Sequence, residues 1–214
     1  MKQILVYGDS LSWGIIPGSR KRQPFIKRWP GVMELAISAQ AEPVRVIENC
    51  LNGRRTVWSD PFKAGRDGSV GLAQVIELNS PLSLVVVLLG TNDFMASHSN
   101  NAWLSAQGIQ KLITEIRNAP IEPGMPVPDI LVVVPPKLSP KGNMEHKFSG
   151  GEKRCAGLSE TYRDVAEINQ VGYFDASTVV SSSAVDGVHL DEPEHQSLGT
   201  ALAKEVIKRL EKGS

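Results

Sequence analysis

Residues 82–89 read Leu-Ser-Leu-Val-Val-Val-Leu-Leu, and residues 130–134 read Ile-Leu-Val-Val-Val. Neither run alternates apolar with polar residues, as a strand with one wet face would. Both are far shorter than the roughly 20 apolar residues that a membrane-spanning helix needs. A short strand that is apolar at successive positions has both faces covered, the situation of a parallel sheet with helices on each side. Three further β-rich runs, Gln3–Tyr7, Val44–Asn49 and Gly172–Phe174, bring the expected strands to five.

Helix-period segments lie between these runs. Val32, Leu35, Ala36 and Ala39 recur at i, i+3, i+4 and i+7 behind Pro30, which suits a first helical turn. Leu72, Val75 and Ile76 mark a second helix, and Ile109, Leu112, Ile113 and Ile116 a third. Cys155, Leu158, Tyr162 and Val165 mark a fourth, and Leu198, Ala201, Leu202 and Leu210 a last. Five strand–helix units in succession predict a three-layer α/β/α sandwich over a parallel sheet, with one domain spanning residues 1–214. Ile15–Trp29 and Pro135–Gly151 read as the two longest irregular stretches. Both follow strand C-termini, where such folds keep their sites.

Bulk composition removes several partners. Lys plus Arg and Asp plus Glu stand at 23 each, so no net charge draws the chain to nucleic acid or anionic lipid. The basic cluster Arg20-Lys21-Arg22, with Lys27 and Arg28, reads as a solvated loop or a contact between subunits. Cys50 and Cys155 lack metal-ligand spacing and read as reduced, partly buried thiols. The apolar run near the N-terminus stops at Gly8-Asp9, too soon for a signal-peptide core, so the chain reads as cytoplasmic and not bound to membrane.

Chemistry enters at the ends of the expected strands. Ser10 follows the first. Asp186 and His189 share one loop after the fifth, three residues apart. A single turn can then bring the carboxylate to one imidazole nitrogen and leave the other facing outward. That is the arrangement by which a base takes a serine proton while a carboxylate fixes its tautomer. Asn92 follows the third strand and can offer a side-chain amide to a developing oxyanion. Gly53 follows the second and, lacking a Cβ, lets its N–H approach closely; the Ser10 N–H is a third donor. Asp9 reads as a tie for its turn and Asp93 as a brace for its loop. Trp13, Thr91, Phe148 and Val188 read as substrate-contacting walls beside these blocks, with Phe94 equally a core residue. His98, His146 and His195 read as exposed polar residues, and Arg54 and Arg55 as surface or interface pairs, with steering of an anionic substrate as the alternative.

The blocks Gly8-Asp9-Ser10-Leu11, Gly53, Gly90-Thr91-Asn92-Asp93 and Asp186-Gly187-Val188-His189 resemble, in order, those of the SGNH (GDSL) hydrolase superfamily. Within it the stretches YGDSLSWG, LGTND, VVPP and DGVHL are most similar to bacterial arylesterases and the related ester-using acyltransferase. The resemblance implies Ser10 as nucleophile, His189 as base and Asp186 as its orienter. It places Gly53, Asn92 and the Ser10 N–H in the oxyanion hole. It also implies a five-stranded parallel sheet in flavodoxin-like order, and assembly into homo-oligomers.

The expected activity is hydrolysis of short-chain, acetyl-type esters, aryl or alkyl, through an acyl-Ser10. A small ester and water, or an alcohol as acyl acceptor, are the partners, and no cofactor or metal is called for. Acyltransfer, perhydrolysis and carbohydrate acetyl-ester cleavage use the same residues. A two-metal phosphoesterase lacks its ligands in the sequence, with no Asp-x-His near the first strand and no His-rich loop. A flavodoxin-like anion-binding module lacks a Gly-rich phosphate loop and has no use for Asp186-x-x-His189.

Overall fold

In the computed structural model, which describes residues 1–212, five parallel strands form one sheet. They are β1 (Lys2–Gly8), β2 (Val44–Cys50), β3 (Leu84–Leu88), β4 (Asp129–Val134) and β5 (Gly172–Asp175). Their spatial order is β2-β1-β3-β4-β5, the flavodoxin-like order. The helices are α1 (Ser10–Trp13), α2 (Trp29–Gln40), α3 (Leu72–Asn79), α4 (Ala102–Arg117), α5 (Gly151–Arg154), α6 (Leu158–Ile168) and α7 (Glu192–Lys212).

Neighbouring residues of one strand feed opposite layers, as the period-2 geometry requires. Leu5 and Tyr7 of β1 pack with Val85, Val87 and Val132 under α3, α4 and α6. Ile4 and Val6 pack with Val86, Leu131 and Val133 under α2 and α7, where Trp29, Met33 and Ile37 meet Leu198, Leu202 and Val206. Burial on both faces explains why β3 is apolar at every position.

Two expectations about elements need correction. The fourth helix expected from Cys155, Leu158, Tyr162 and Val165 is two: α5 ends at Arg154, and α6 starts after Gly157. The longest irregular stretch in the chain is residues 51–71, between β2 and α3, not either of the two singled out from the sequence.

His195 is also not exposed. It is fully buried, and its Nδ1 accepts the Trp29 N–H at 3.2 Å, tying the first turn of α7 to the first turn of α2. Burial drags its pKa down to about 4; Arg28 and His189 add to the effect and Glu192 opposes it. An unfolded histidine titrates near 6.5, so the folded state holds this imidazole neutral. Its contribution to stability is complete above pH 6.5 and is lost as pH falls through about 4. Urea unfolding at pH 7 and at pH 4.5 should therefore show a steeper acid loss in wild type than in His195→Gln, by about 2 kcal/mol. Equal slopes would contradict this account of the residue.

Candidate active site

Ser10 opens α1 at the C-terminal end of β1, next to the gap where β1 and β3 lead their connections to opposite sides of the sheet. Its turn is held by Asp9, whose Oδ1 accepts the Leu11 N–H at 2.9 Å, and by Gly14, whose N–H bonds back to the Ser10 carbonyl at 3.1 Å. As the first residue of a helix, Ser10 has a backbone N–H with no intrahelical acceptor.

Residues 183–189 carry the partners. The Asp186 Oδ1 accepts the backbone N–H groups of Val188 and His189, both at 3.0 Å, which curls the loop into a tight turn. The Asp186 Oδ2 lies 2.7 Å from His189 Nδ1, and His189 Nε2 lies 3.1 Å from Ser10 Oγ. Ser10, Asp186 and His189 are all buried, at 6%, 2% and 5% exposure, so water competes poorly for these contacts. Burial pushes the Asp186 carboxyl up. The side-chain and backbone hydrogen bonds from His189, with that from Val188, outweigh it and hold the group below its ordinary value. An ionised Asp186 takes the Nδ1–H and leaves Nε2 as an acceptor facing the serine hydroxyl. This turn is backed by the loop after β4, with Ser139 N–H donating to the Gly187 carbonyl at 2.9 Å and Lys141 N–H to the Asp186 carbonyl at 3.0 Å.

The oxyanion candidates sit at the same sheet edge. Gly53 has φ +84°, a left-handed conformation that favours glycine, within a turn closed by Arg54 N–H donating to Leu51 O. Asn92 differs from expectation. Its Nδ2 donates to Asp9 Oδ2 at 2.7 Å and to the Arg54 carbonyl at 3.0 Å, so both amide protons are engaged. Asp9 is thus more than a turn tie: it also fixes Asn92, and burial raises its carboxyl to about 6. Asp93 braces as expected, accepting from Thr56 N–H at 2.9 Å, Thr56 Oγ at 2.7 Å and Ser105 Oγ at 2.6 Å.

Ser10, Gly53, Asn92 and His189 line one crevice of about 60 Å³. Phe148 and Val188 line it as expected; Trp13 and Thr91 do not. The Arg22 guanidinium covers the Trp13 ring at 4.8 Å, and Thr91 lines a separate cavity beyond β4 together with Phe94. The apolar walls missed in the sequence are Ile15, Met95 and Met144. Ile15 and Met144 lie in the two irregular stretches singled out there, which was the available signal. Asp60 and Lys63 also line the crevice, from the 51–71 stretch in which only Gly53, Arg54 and Arg55 stood out in the sequence.

The paired arginines are interior stitching rather than surface groups. Arg54 is buried over the Tyr7 ring at 4.0 Å and donates to the Gly8 carbonyl at 3.0 Å and to Asn49 Oδ1 at 2.7 Å, joining the ends of β1 and β2. Arg55 is fully buried and donates to Ser59 O at 2.9 Å and Ser97 Oγ at 3.0 Å, and it also contacts His98. It clamps residues 51–71 onto the segment after Asn92. His98 is accordingly half-buried, while His146 is exposed as expected. Most of the basic cluster is tied down as well: Arg22 and Arg28 pair with Glu48, and Lys27 with Glu192.

Both cysteines are free thiols, as expected. Among the described residues no group of three or more His, Cys, Asp or Glu side chains is placed to hold a metal ion. No helix among them is long and apolar enough to cross a membrane.

Residues 6–196 match the profile of the GDSL-like lipase/acylhydrolase family, nearly the whole span from β1 into α7. The chain belongs to that family. A carbohydrate acetylesterase from Sinorhizobium meliloti superposes with a TM-score of 0.92 at 32% identity, covering 97% of this chain and 99% of that one. An aryl esterase from M. smegmatis superposes at 0.91 with 34% identity over the same shares. A curated arylesterase from Vibrio mimicus is 25% identical over 98% of this chain and 90% of its own length. Family and relatives together make this chain a carboxylic ester hydrolase of the SGNH type.

Proposed function

We propose that the protein hydrolyses short-chain, acetyl-type esters of aryl or alkyl alcohols through an acyl-Ser10 intermediate. The observation that carries this is the continuous relay from Ser10 Oγ through His189 to Asp186, at 3.1 Å and 2.7 Å. His189 takes the serine proton as Oγ attacks the ester carbonyl, then returns it to the leaving alcohol as the acyl-enzyme forms. It next takes a proton from water as the water attacks the acyl carbon, and gives it to Ser10 Oγ as the acyl–Oγ bond breaks and the acid leaves. Asp186 stays ionised and stabilises the imidazolium. The N–H groups of Ser10 and Gly53 receive the oxyanion, and Asn92 joins them by sharing one of the two protons it gives to Asp9 and the Arg54 carbonyl.

Crevice size supports the acyl-length part of this reading. The buried apolar lining is small, made by Ile15, Met95, Met144, Phe148 and Val188, which suits an acetyl group better than an octanoyl chain. The neighbouring folds described as an aryl esterase and a carbohydrate acetylesterase support the same range of substrates. With p-nitrophenyl acetate, butyrate and octanoate, kcat/KM is expected to fall in that order, by about tenfold or more from acetate to octanoate, because extra methylenes stay outside. A rise with chain length overturns the small-acyl assignment.

A further inference from the structure

We propose that the crevice selects esters whose leaving alcohol carries an anionic group, such as a carboxylate, received by Arg20, Lys63 and Lys147 at its mouth. This deepens the esterase reading above and rests on it. The three cations come from three loops remote in sequence, following α1, β2 and β4, and all three line the same crevice as Ser10 and His189.

Their distribution divides the crevice. Its floor is apolar and buried, made by Ile15, Met95, Met144, Phe148 and Val188, and this is where a short acyl group belongs. Arg20, Lys63 and Lys147 are exposed, so they face the part of the substrate that projects outward, the leaving alcohol.

These charges are not compensated from within. Among the described residues none of the three forms an ion pair within 4 Å, whereas Arg22, Lys27 and Arg28, close by in sequence, all do. Among the described residues the one carboxylate lining the crevice, Asp60, is engaged elsewhere: its Oδ2 lies 3.3 Å from Arg55 Nη2, and its Oδ1 accepts the Phe62 N–H at 2.9 Å. Burial, with repulsion from Arg66 and Arg20, lowers the Lys63 pKa. Burial also lowers that of Lys147, with repulsion from Arg20, Lys63 and Arg55, and Asp60 opposes both shifts only in part. Like charges held this close make a cleft of one sign, which concentrates counter-charged substrate.

The loop also holds the backbone from which Arg20 projects. Its φ is +57°, a left-handed conformation uncommon outside glycine. The surrounding loop enforces it: Ile16 N–H donates to the Lys21 carbonyl at 2.8 Å, Lys21 N–H donates to Ser19 Oγ at 3.2 Å, and Ile15 pairs with Arg22.

The test compares 4-acetoxybenzoate with 4-acetoxybenzamide, near-isosteres that differ in charge on the leaving group. The readout is the ratio of their kcat/KM values, measured at low salt and at about 1 M NaCl. Because the ratio is internal to each protein, a general loss of activity cancels from it. Wild type is expected to favour the anion by about tenfold at low salt. The preference should collapse at high salt, and it should fall severalfold in Arg20→Gln/Lys63→Gln/Lys147→Gln. If that triple variant does not fold, the single exposed change Lys147→Glu should lower the ratio below that of wild type. A ratio equal in wild type and variants, or insensitive to salt, while both esters are hydrolysed, overturns the proposal and leaves the esterase reading standing. Failure of wild type to cleave either ester or p-nitrophenyl acetate overturns both.

Discussion

Ser10→Ala loses at least about a thousandfold in kcat with p-nitrophenyl acetate while keeping the wild-type fold. The side chain removed is one hydroxyl, whose recorded contact is the 3.1 Å approach of His189 Nε2. Among the described residues no other group is hydrogen-bonded to that hydroxyl. The turn that presents it is held by Asp9 and Gly14, and both remain. Thermal unfolding should therefore move little, while the step that needs an attacking oxygen disappears. The residual rate reflects the oxyanion donors and binding alone. Turnover unimpaired by the substitution would reduce Ser10 to a helix-start residue and remove the mechanism.

Gly187→Ala is expected to cost about a hundredfold in kcat through a different route, by moving the base. Gly187 has φ +66°, and a Cβ built there overlaps the carbonyl oxygen and carbon of Ser139. The obstacle is backbone, so no rotamer change relieves it. The same loop, residues 139–141, is hydrogen-bonded to Gly187 and Asp186, so relief of the overlap pulls on the turn that aims His189. A displacement near 1 Å in a catalytic group is worth about 10²-fold. Gly65→Ala is the control. It has nearly the same φ, +71°, with nothing within 4 Å of the added atom. Both variants carry the left-handed backbone penalty of about 1–2 kcal/mol. Only Gly187→Ala should lose activity, and it should lose more stability. Equal activity in the two variants would show that the 139–141 contact does not position the base.

The sequence revealed the sheet because its chemistry is local. Apolar runs covered on both faces and helix-period stripes mark β3, β4 and α4 without knowledge of the partners. Strand limits differ from expectation by no more than two residues at either end. The juxtaposition of Ser10, Asp186 and His189 was legible for a related reason: each follows a strand, and parallel strands deliver their C-terminal ends to one edge. What stayed hidden depends on long-range partners. Nothing around His195 announces that Trp29 will cover it. Nothing around Arg54 and Arg55 tells that strand ends and a distant loop will receive their guanidinium protons. Trp13 failed as a pocket wall for the same reason, since Arg22 comes back over its ring. Asn92 lies at the crevice, but the sequence does not announce its bonds to Asp9 and the Arg54 carbonyl, which exist only once three strand ends converge.

The most direct measurement is covalent capture of the nucleophile. The protein would be treated with diethyl 4-nitrophenyl phosphate, which transfers its phosphoryl group to an activated serine and releases nitrophenol. Intact-mass and peptide mapping then locate the adduct. One phosphoryl per chain on Ser10, accumulating at the rate at which esterase activity is lost, is the predicted result. An adduct on another residue that tracks the loss of activity, or full activity with Ser10 modified, would contradict the assignment.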